Sequence, residues 1–162
     1  MREERGYQKS FLIDMDGVIN RGNTLIPGAR EFVEKLKAGG YPFQFLTNNS
    51  YFTPSELQDR LLNLGIDVSK DRFYTSAMAT ASFLVYQKPG CSAYVIGGKG
   101  LVQQLERNGI RITYKNPDYV IIGETEEYDY SRIIEATLLI QEGAKFIATN
   151  PDITGPTTRG PV

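Results

Sequence analysis

Short apolar segments of strand type alternate along this chain with segments whose apolar residues recur at helical spacing. Such alternation predicts an α/β fold in which parallel strands are joined by helical crossovers. A Pro89-Gly90 break separates two runs of the pattern, so we expect two units, residues 1–88 and 89–162. The predicted strands are 11–14, 43–46, 93–96, 119–122 and 146–149, and the predicted helices are 29–37, one that opens at 53–56, 76–86, 101–107 and 130–141.

The composition is that of a globular protein and argues against several classes of partner. Hydrophobic residues make up 41% and charged residues 23% of the 162 residues, and the net charge is -1. A charge so close to zero gives no general attraction to nucleic acid or to an anionic membrane. No apolar run approaches the roughly 20 residues that span a bilayer, and the first residues lack the apolar segment of a secretory signal. We therefore expect neither a nucleic-acid nor a membrane partner.

The chain contains no histidine and a single cysteine, Cys91. Ser-His and Cys-His nucleophile pairs, histidine metal sites and phosphohistidine chemistry are thereby excluded within this sequence. One cysteine forms neither an intrachain disulfide nor a structural zinc site, and we expect it in a reducing cytoplasm. Any catalytic chemistry in this chain must therefore use carboxylates, hydroxyls, lysines, backbone amides or a bound metal.

Polar clusters follow directly after three of the predicted strands. They are DMD at 14–16, TNNS at 47–50 and NPD at 150–152. In open α/β sheets ligands bind at the carboxyl ends of the strands. The unusual polar residues of this chain therefore stand where a binding site is expected.

Asp14 and Asp16 are separated by one residue at the end of the first predicted strand. Residues two apart in an extended chain face the same side, about 6.5–7 Å apart at Cα, so the two carboxylates can converge on one substrate. Left alone they would repel, and one would tend to keep its proton, whereas Mg²⁺ accepts oxygens from both. One carboxylate can attack phosphorus while the other transfers a proton. Gly17 allows a tight turn beside them.

Two structural alternatives exist for these clusters. An EF-hand loop fits poorly, because Gly17 follows Asp16 directly and no third acid is present. A plain polar turn after a strand stays open for DMDG, and a polar turn that enters a helix stays open for TNNS. The two clusters together favour a phosphotransfer site over either turn alone.

The chain resembles the haloacid dehalogenase superfamily of phosphotransferases in the stretch FLIDMDGV and in TNNS one β-α unit later. It is similar more narrowly to the NagD-like phosphatases, whose helix after the second motif matches RFYTSAMATASFL. The inserted α/β cap of that subfamily is similar to AYVIGGKGL, DYVIIGE and GAKFIATNPDITGPTTRGPV. The resemblance covers nearly all residues from Phe11 onward. It implies a Rossmann-like core in the N-terminal half, followed by a cap domain.

The resemblance also implies roles for matching residues. Asp14 is expected to be the nucleophile that becomes an aspartyl phosphate, and a Mg²⁺ ligand. Asp16 is expected to be the general acid/base, with its main-chain carbonyl on the metal. Thr47 and Asn48 are expected to hold the phosphoryl group, and Gly17 is placed with them in the phosphate-binding set.

A Pro/Gly-rich loop is expected, by the same resemblance, to face the core site and read the leaving group; its polar residues are Asn150, Asp152 and Arg159. A simple surface loop is the alternative. The family pattern further contains a lysine in a GKP-like stretch and an acidic GDxxxxD-like pair downstream of the cap, and this sequence includes neither. We therefore expect the chain to be part of a longer protein and to be weakly active or inactive alone.

The stretch GGKG at 97–100 superficially suggests a nucleotide loop. A P-loop requires Ser or Thr after the lysine, but Gly100 follows Lys99. The dinucleotide pattern GxGxxG fails because Gln103 occupies the last glycine position. The stretch is predicted to be a strand-to-helix turn, and Lys99 does not replace the missing family lysine.

These observations predict a Mg²⁺-dependent phosphatase of small phosphorylated metabolites, such as a sugar phosphate, glycerol phosphate, nucleotide or vitamin phosphate. Two other interpretations stay open. One is a non-catalytic module that binds phosphate or a partner through an incomplete site, and the other is a transferase or mutase of the same superfamily. The resemblance also implies a homodimer formed through the cap.

Overall fold

The computed structural model describes residues 9–152, 154, 156–157 and 160–161, so the predicted loop residue Arg159 lies outside the described residues. No helix within these residues is long and apolar enough to cross a membrane. In chain order the elements are β1 (Phe11–Asp14), β2 (Asn20–Arg21), β3 (Thr24–Leu25), α1 (Ala29–Ala38), β4 (Phe43–Thr47), α2 (Pro54–Asn63), β5 (Phe73–Thr75), α3 (Ser76–Gln87), β6 (Ser92–Ile96), α4 (Lys99–Arg107), β7 (Arg111–Ile112), β8 (Tyr119–Ile122), α5 (Tyr130–Gln141), β9 (Lys145–Ala148), β10 (Pro156–Thr157) and β11 (Gly160–Pro161).

The first sheet has three parallel strands in the order β1-β4-β5. Asp14 pairs with Leu46, and Thr47 at the end of β4 pairs with Thr75. Parallel pairing at this register brings the carboxyl ends of β1 and β4 to the same edge of the sheet. The predicted α/β fold with parallel strands is confirmed.

Alternate residues of β4 build the core beneath this sheet, because strand side chains alternate between the two faces. Phe43 and Phe45 are buried, together with Val33 of α1 and Leu61 of α2. Helix α2 opens with the predicted capping box. The Thr53 hydroxyl accepts from the Glu56 N–H, and the Glu56 carboxylate accepts from the Thr53 N–H at 2.8 Å.

The second sheet has four parallel strands in the order β7-β6-β8-β9. Every residue of β6 is buried, as expected for a central strand covered on both faces. One face packs against α3 and α4, and the other packs against α5. From α3 the residues Ala77, Ala81 and Leu84 enter this second core. By packing, α3 belongs with the second sheet, whereas by chain position it falls within 1–88; the boundary at 88/89 stays a prediction.

Several element bounds differ from those expected. Helix α4 begins at Lys99 rather than at residue 101, because Gly98 serves as its N-cap. Strand β9 spans 145–148 rather than 146–149, because its pairing with β8 runs from Tyr119 with Lys145 to Ile122 with Ala148. The turn-rich segment after Asp16 contains a short antiparallel hairpin, β2-β3, which the sequence pattern did not predict. Strands of two residues are too short to show alternation.

Candidate active site

The two aspartates lie at the end of β1, on the side that faces solvent. Along this segment Ile13 and Met15 are buried, whereas Asp14 and Asp16 are exposed. The alternation confirms that both carboxylates face the same side. The Met15 N–H donates to Asp14 Oδ1 at 2.9 Å and fixes the orientation of that carboxylate.

The chain reverses immediately after Asp16. Gly17 has φ +88°, a left-handed conformation that residues with a Cβ rarely adopt, and its N–H donates to the Asn20 carbonyl at 2.8 Å. The backbone thus makes the predicted tight turn. The Gly17 N–H is engaged within the turn and is not free to bind a phosphate in this structure. The predicted contact between Gly17 and a phosphate stays a prediction.

Thr47 joins the end of β4 to the aspartate pair. Its side chain is buried, and its hydroxyl accepts from the Asn49 N–H at 3.0 Å. The same hydroxyl donates to Asp16 Oδ2 at 3.5 Å, a long contact. The DMDG and TNNS motifs, which are 31 residues apart at these two positions, therefore meet at one sheet edge.

The environment of Asp16 favours its protonated form. Neighbouring atoms remove part of the water around this carboxyl and so raise its pKa, although the side chain keeps access to solvent, and the charge of Asp14 raises the pKa further. Arg60 and the hydrogen bonds of Thr47 and Asn20 act in the opposite direction. An acid whose pKa is raised in this way is suited to donating a proton in catalysis.

Arg60 is a site residue that the sequence pattern did not identify. With Asn20 and Thr47 it lines a cavity of about 30 Å³ that adjoins Asp16. The guanidinium carbon lies 4.3 Å from the centroid of the Phe52 ring, and the group donates to Asn23 Oδ1 at 3.2 Å. A lone arginine on an amphipathic helix gives no signal that separates it from an ordinary surface residue.

Asn20 adds a second polar feature to this cavity. Its side chain is 6% exposed, and Nδ2 donates to the Gly22 carbonyl at 3.0 Å. Its Oδ1 is buried and has no hydrogen-bond partner in the described part of the chain. Buried acceptors are normally hydrogen-bonded, so this oxygen favours the binding of a hydrogen-bond donor in the cavity beside Asp16.

The loop after β9 lies against the TNNS segment. Asn48 Nδ2 donates to Asp152 Oδ2 at 2.8 Å, and Asn150 Nδ2 donates to the Asn48 carbonyl at 3.0 Å. The loop therefore contacts the first unit beside the site. Recognition of a leaving group by these residues stays a prediction.

A second contact across the same junction involves Glu124, which follows β8. Asn49 Nδ2 donates to Glu124 Oε2 at 2.6 Å, and the Glu124 N–H donates to Ser50 Oγ at 2.9 Å. Burial raises the pKa of Glu124, and the charge of Asp16 raises it further. The carboxyl keeps access to solvent although neighbouring atoms crowd it. The sequence pattern gave no indication of this contact.

The GGKG stretch forms the predicted strand-to-helix turn and also packs against the first unit. Lys99 Nζ lies 2.6 Å from Glu56 Oε1, so the lysine bridges α4 and α2 rather than a phosphate. The Gly100 N–H donates to the Tyr51 carbonyl at 2.9 Å. A Cβ at Gly100 would lie 2.6 Å from backbone atoms of Phe52, so a glycine is needed for this close approach.

The donor atoms at this edge of the sheet decide whether the site can hold a divalent cation. Among the described residues no group of three or more Asp, Glu, His or Cys side chains could hold a metal. Asp14 and Asp16 nevertheless supply two accessible carboxylates and a strand-end carbonyl. Mg²⁺ typically binds proteins through one or two carboxylates and completes its shell with water and substrate phosphate. The donor set therefore fits Mg²⁺ in the presence of a phosphorylated substrate.

Comparison with known proteins agrees with this geometry. The family model of the haloacid dehalogenase-like hydrolases matches residues 11–111, more than half of the chain. The chain belongs to this family. Dihydroxyacetone phosphatase of Corynebacterium glutamicum is 46% identical over 151 residues, which are 93% of this chain and 55% of that protein. The predicted resemblance to haloacid dehalogenase phosphatases is thus confirmed.

Two solved structures of similar proteins superpose closely on this chain. NagD of E. coli K-12 superposes with a TM-score of 0.86 at 42% identity, covering 94% of this chain and 61% of that one. Glycerol phosphate phosphatase Rv1692 of Mycobacterium tuberculosis, solved in complex with magnesium, superposes with a TM-score of 0.88 at 29% identity, covering 96% and 48%. The chain spans little more than half the length of the curated relative.

Proposed function

We propose that the protein is a Mg²⁺-dependent phosphatase that hydrolyses small phosphorylated metabolites through an aspartyl-phosphate intermediate. The observation that carries this proposal is the meeting of Asp14, Asp16 and Thr47 at one edge of a parallel sheet. Family membership and the phosphatase activity named for the related proteins support it.

Asp14 is the nucleophile in this proposal. One carboxylate oxygen attacks phosphorus, the bond from phosphorus to the leaving-group oxygen breaks, and an aspartyl phosphate forms. A carboxylate that is ionised at neutral pH needs no base to activate it. The hydrogen bond from the Met15 N–H orients Asp14 while its carboxylate remains accessible.

Asp16 acts as acid and then as base. It gives a proton to the leaving alcohol oxygen, and later takes one from the water that attacks the aspartyl phosphate. Inorganic phosphate leaves, and Asp14 is regenerated. The raised pKa of Asp16, caused first by burial, suits the acid step.

Thr47 and Asn48 hold the phosphoryl oxygens, on which charge is spread during transfer. Asp14, through its carboxylate, and Asp16, through its main-chain carbonyl, would hold Mg²⁺, which when bound supplies positive charge for those oxygens. The family lysine and acidic pair that the resemblance implies do not occur in this sequence, and the activity is proposed for the whole protein.

The second unit acts as the cap, and its loop with Asn150 and Asp152 contacts the leaving group. The names of the relatives, dihydroxyacetone phosphatase and glycerol phosphate phosphatase, support a small polyol-type substrate. Pairing of two copies through the cap stays a prediction that light scattering can test. A cytoplasmic location also stays a prediction.

The test compares Asp14→Asn with Asp59→Asn, a matched change at an exposed position on α2. We expect Asp14→Asn to lower Mg²⁺-dependent phosphate release by at least about a thousandfold, as removal of a nucleophile does. The Asp59 variant is expected to keep the native rate. Release that survives Asp14→Asn unchanged would overturn the assignment. Phosphate binding without hydrolysis would favour the non-catalytic module, and transfer to a second sugar would favour a transferase.

A further inference from the structure

Glu124 is a charged residue beside the site that the proposed mechanism does not use. Its carboxylate accepts from Asn49 Nδ2 at 2.6 Å, and its N–H donates to Ser50 Oγ at 2.9 Å. Its carbonyl accepts from the Gly98 N–H at 3.0 Å. Two of these three hydrogen bonds hold Glu124 against the loop that begins at Thr47.

The Glu124 carboxylate lies within electrostatic range of Asp16. Asp16 raises the pKa of Glu124, and Arg60 lowers the pKa of both acids. Asn49 lines the small cavity together with Asp16 and Arg60, and its side-chain amide bonds to the Glu124 carboxylate at 2.6 Å. The Glu124 carboxylate therefore lies one side chain away from that space.

The leaving group of a phosphomonoester must enter that space. Asp16 can pass its proton only to an oxygen within about 2.6–3.2 Å, so the leaving oxygen lies beside this carboxyl. Met15 and the core fill the region behind the aspartates, since Met15 is buried. Asn49 lines this region and bonds to Glu124, so a leaving group that extends past Asn49 reaches the Glu124 carboxylate.

We propose that Glu124 is a specificity-determining residue whose negative charge disfavours phosphomonoesters with an anionic leaving group and so selects uncharged, hydroxylated ones. The inference rests on the proposed phosphatase function and narrows its substrate class. A carboxylate on the leaving group would meet a like charge in a partly desolvated cleft, which is a repulsive element of specificity. A hydroxyl can instead donate a hydrogen bond to Glu124.

The experiment uses glycerol 3-phosphate and 3-phosphoglycerate, which share a three-carbon skeleton and differ by one carboxylate in place of a hydroxymethyl group. The ratio of kcat/KM for 3-phosphoglycerate over glycerol 3-phosphate is measured in the protein as its gene encodes it. Glu124→Gln is expected to raise this ratio roughly tenfold, the order expected for removing one charge several ångströms away. Glu124→Asp keeps the charge and is expected to keep the low ratio.

Glu127→Gln serves as the matched control, because it removes the same charge from an exposed position in the same loop. Its ratio is expected to stay native. An unchanged ratio in Glu124→Gln, with hydrolysis intact, would overturn the specificity role and leave the phosphatase function standing. Equal losses on both substrates would overturn it too, since they would show that Glu124 only supports the Asn49 contact. Absence of hydrolysis in the unmodified protein would overturn both proposals.

Discussion

The two sheets of this molecule carry polar residues at the same topological position, after the carboxyl ends of parallel strands. At the edge of the first sheet, Asp14, Asp16 and Thr47 lie beside one another. At the edge of the second, Glu124 and Asp152 instead bond to amides of the neighbouring unit. A position after a strand therefore does not by itself distinguish the edge proposed to be catalytic from an edge that contacts its neighbour. What separates the two edges is whether the polar side chains converge on each other or on a partner surface.

The same chemical change made at both edges is expected to give the largest difference in rate. Asp16→Asn removes the proposed acid/base and is expected to lower kcat by about 10²–10⁴-fold, the range for general acid–base catalysis. Asp152→Asn removes an exposed contact with Asn48 and the proposed contact with the leaving group, neither of which takes part in the chemical step, and is expected to lower kcat/KM by less than roughly tenfold. Steady-state rates on glycerol 3-phosphate measure both.

The substrate provides a control for the Asp16 role. An aryl phosphate with a good leaving group needs less help from an acid, so the Asp16→Asn loss in the first chemical step should shrink with p-nitrophenyl phosphate. Equal losses for Asp16→Asn and Asp152→Asn would contradict the distinction between a catalytic and a contacting edge.

A second prediction concerns the two hydrophobic cores, which form separate clusters. Phe45 is fully buried in the first, and Phe45→Ala is expected to cost about 3–5 kcal/mol of unfolding free energy. Phe83 on α3 is 49% exposed, so Phe83→Ala is expected to cost far less. Hydrogen exchange should show loss of protection in β1 and β4 and native protection in β6. Equal loss in β6 would show that the cores unfold as one unit.

Local sequence spacing was sufficient to predict part of the site and most long elements. Asp14 and Asp16 lie two residues apart, and Thr53 and Glu56, three residues apart, form a capping box. Short-range geometry therefore determines both features. The hairpin β2-β3 escaped prediction because two residues do not establish a period.

The remaining site residues depend on how the two units pack. Asn49 and Glu124 are 75 residues apart, and nothing local relates them. Glu124 occurs in an acidic stretch, GETEEYD, which by composition is typical of a solvated loop. Arg60 likewise becomes part of the site only because α2 carries it toward Phe52 and Asn23. Long-range contacts of this kind have no signature in a single sequence.

The junction between the two regions gives a third prediction. Gly100→Ala would place a Cβ 2.6 Å from the Phe52 backbone and is expected to cost about 1–3 kcal/mol, as overpacking does. Alanine otherwise favours a helix over glycine by about 1 kcal/mol, so the sign of the effect is informative. Glu106→Ala on the exposed face of α4 is the control. Stabilisation by Gly100→Ala in thermal unfolding would show that the two units separate readily.

The smallest expected effect concerns an acid at the opposite end of the second sheet, just before β8. The hydrogen bond from Lys88 lowers the pKa of Asp118 from 3.8 to about 2, and the Ser92 N–H at 2.8 Å contributes as well. Because folding favours the ionised form, this stabilisation is complete above pH 3.8 and is lost as the pH falls through 2. The side chain is 29% exposed, so solvent screening limits the contribution to about 1 kcal/mol.

Asp118→Asn should therefore lower the free energy of unfolding at pH 7 and lose its effect as the pH approaches 2. Denaturant titrations at several pH values measure this dependence, with Asp67→Asn at an exposed position as the control. A pH-independent cost would mean that the Ser92 hydrogen bonds, rather than the charge, hold the residue. The phosphatase activity of this variant at pH 7 is expected to stay native, because an acid at this end of the sheet stabilises the unit and lies away from the proposed site.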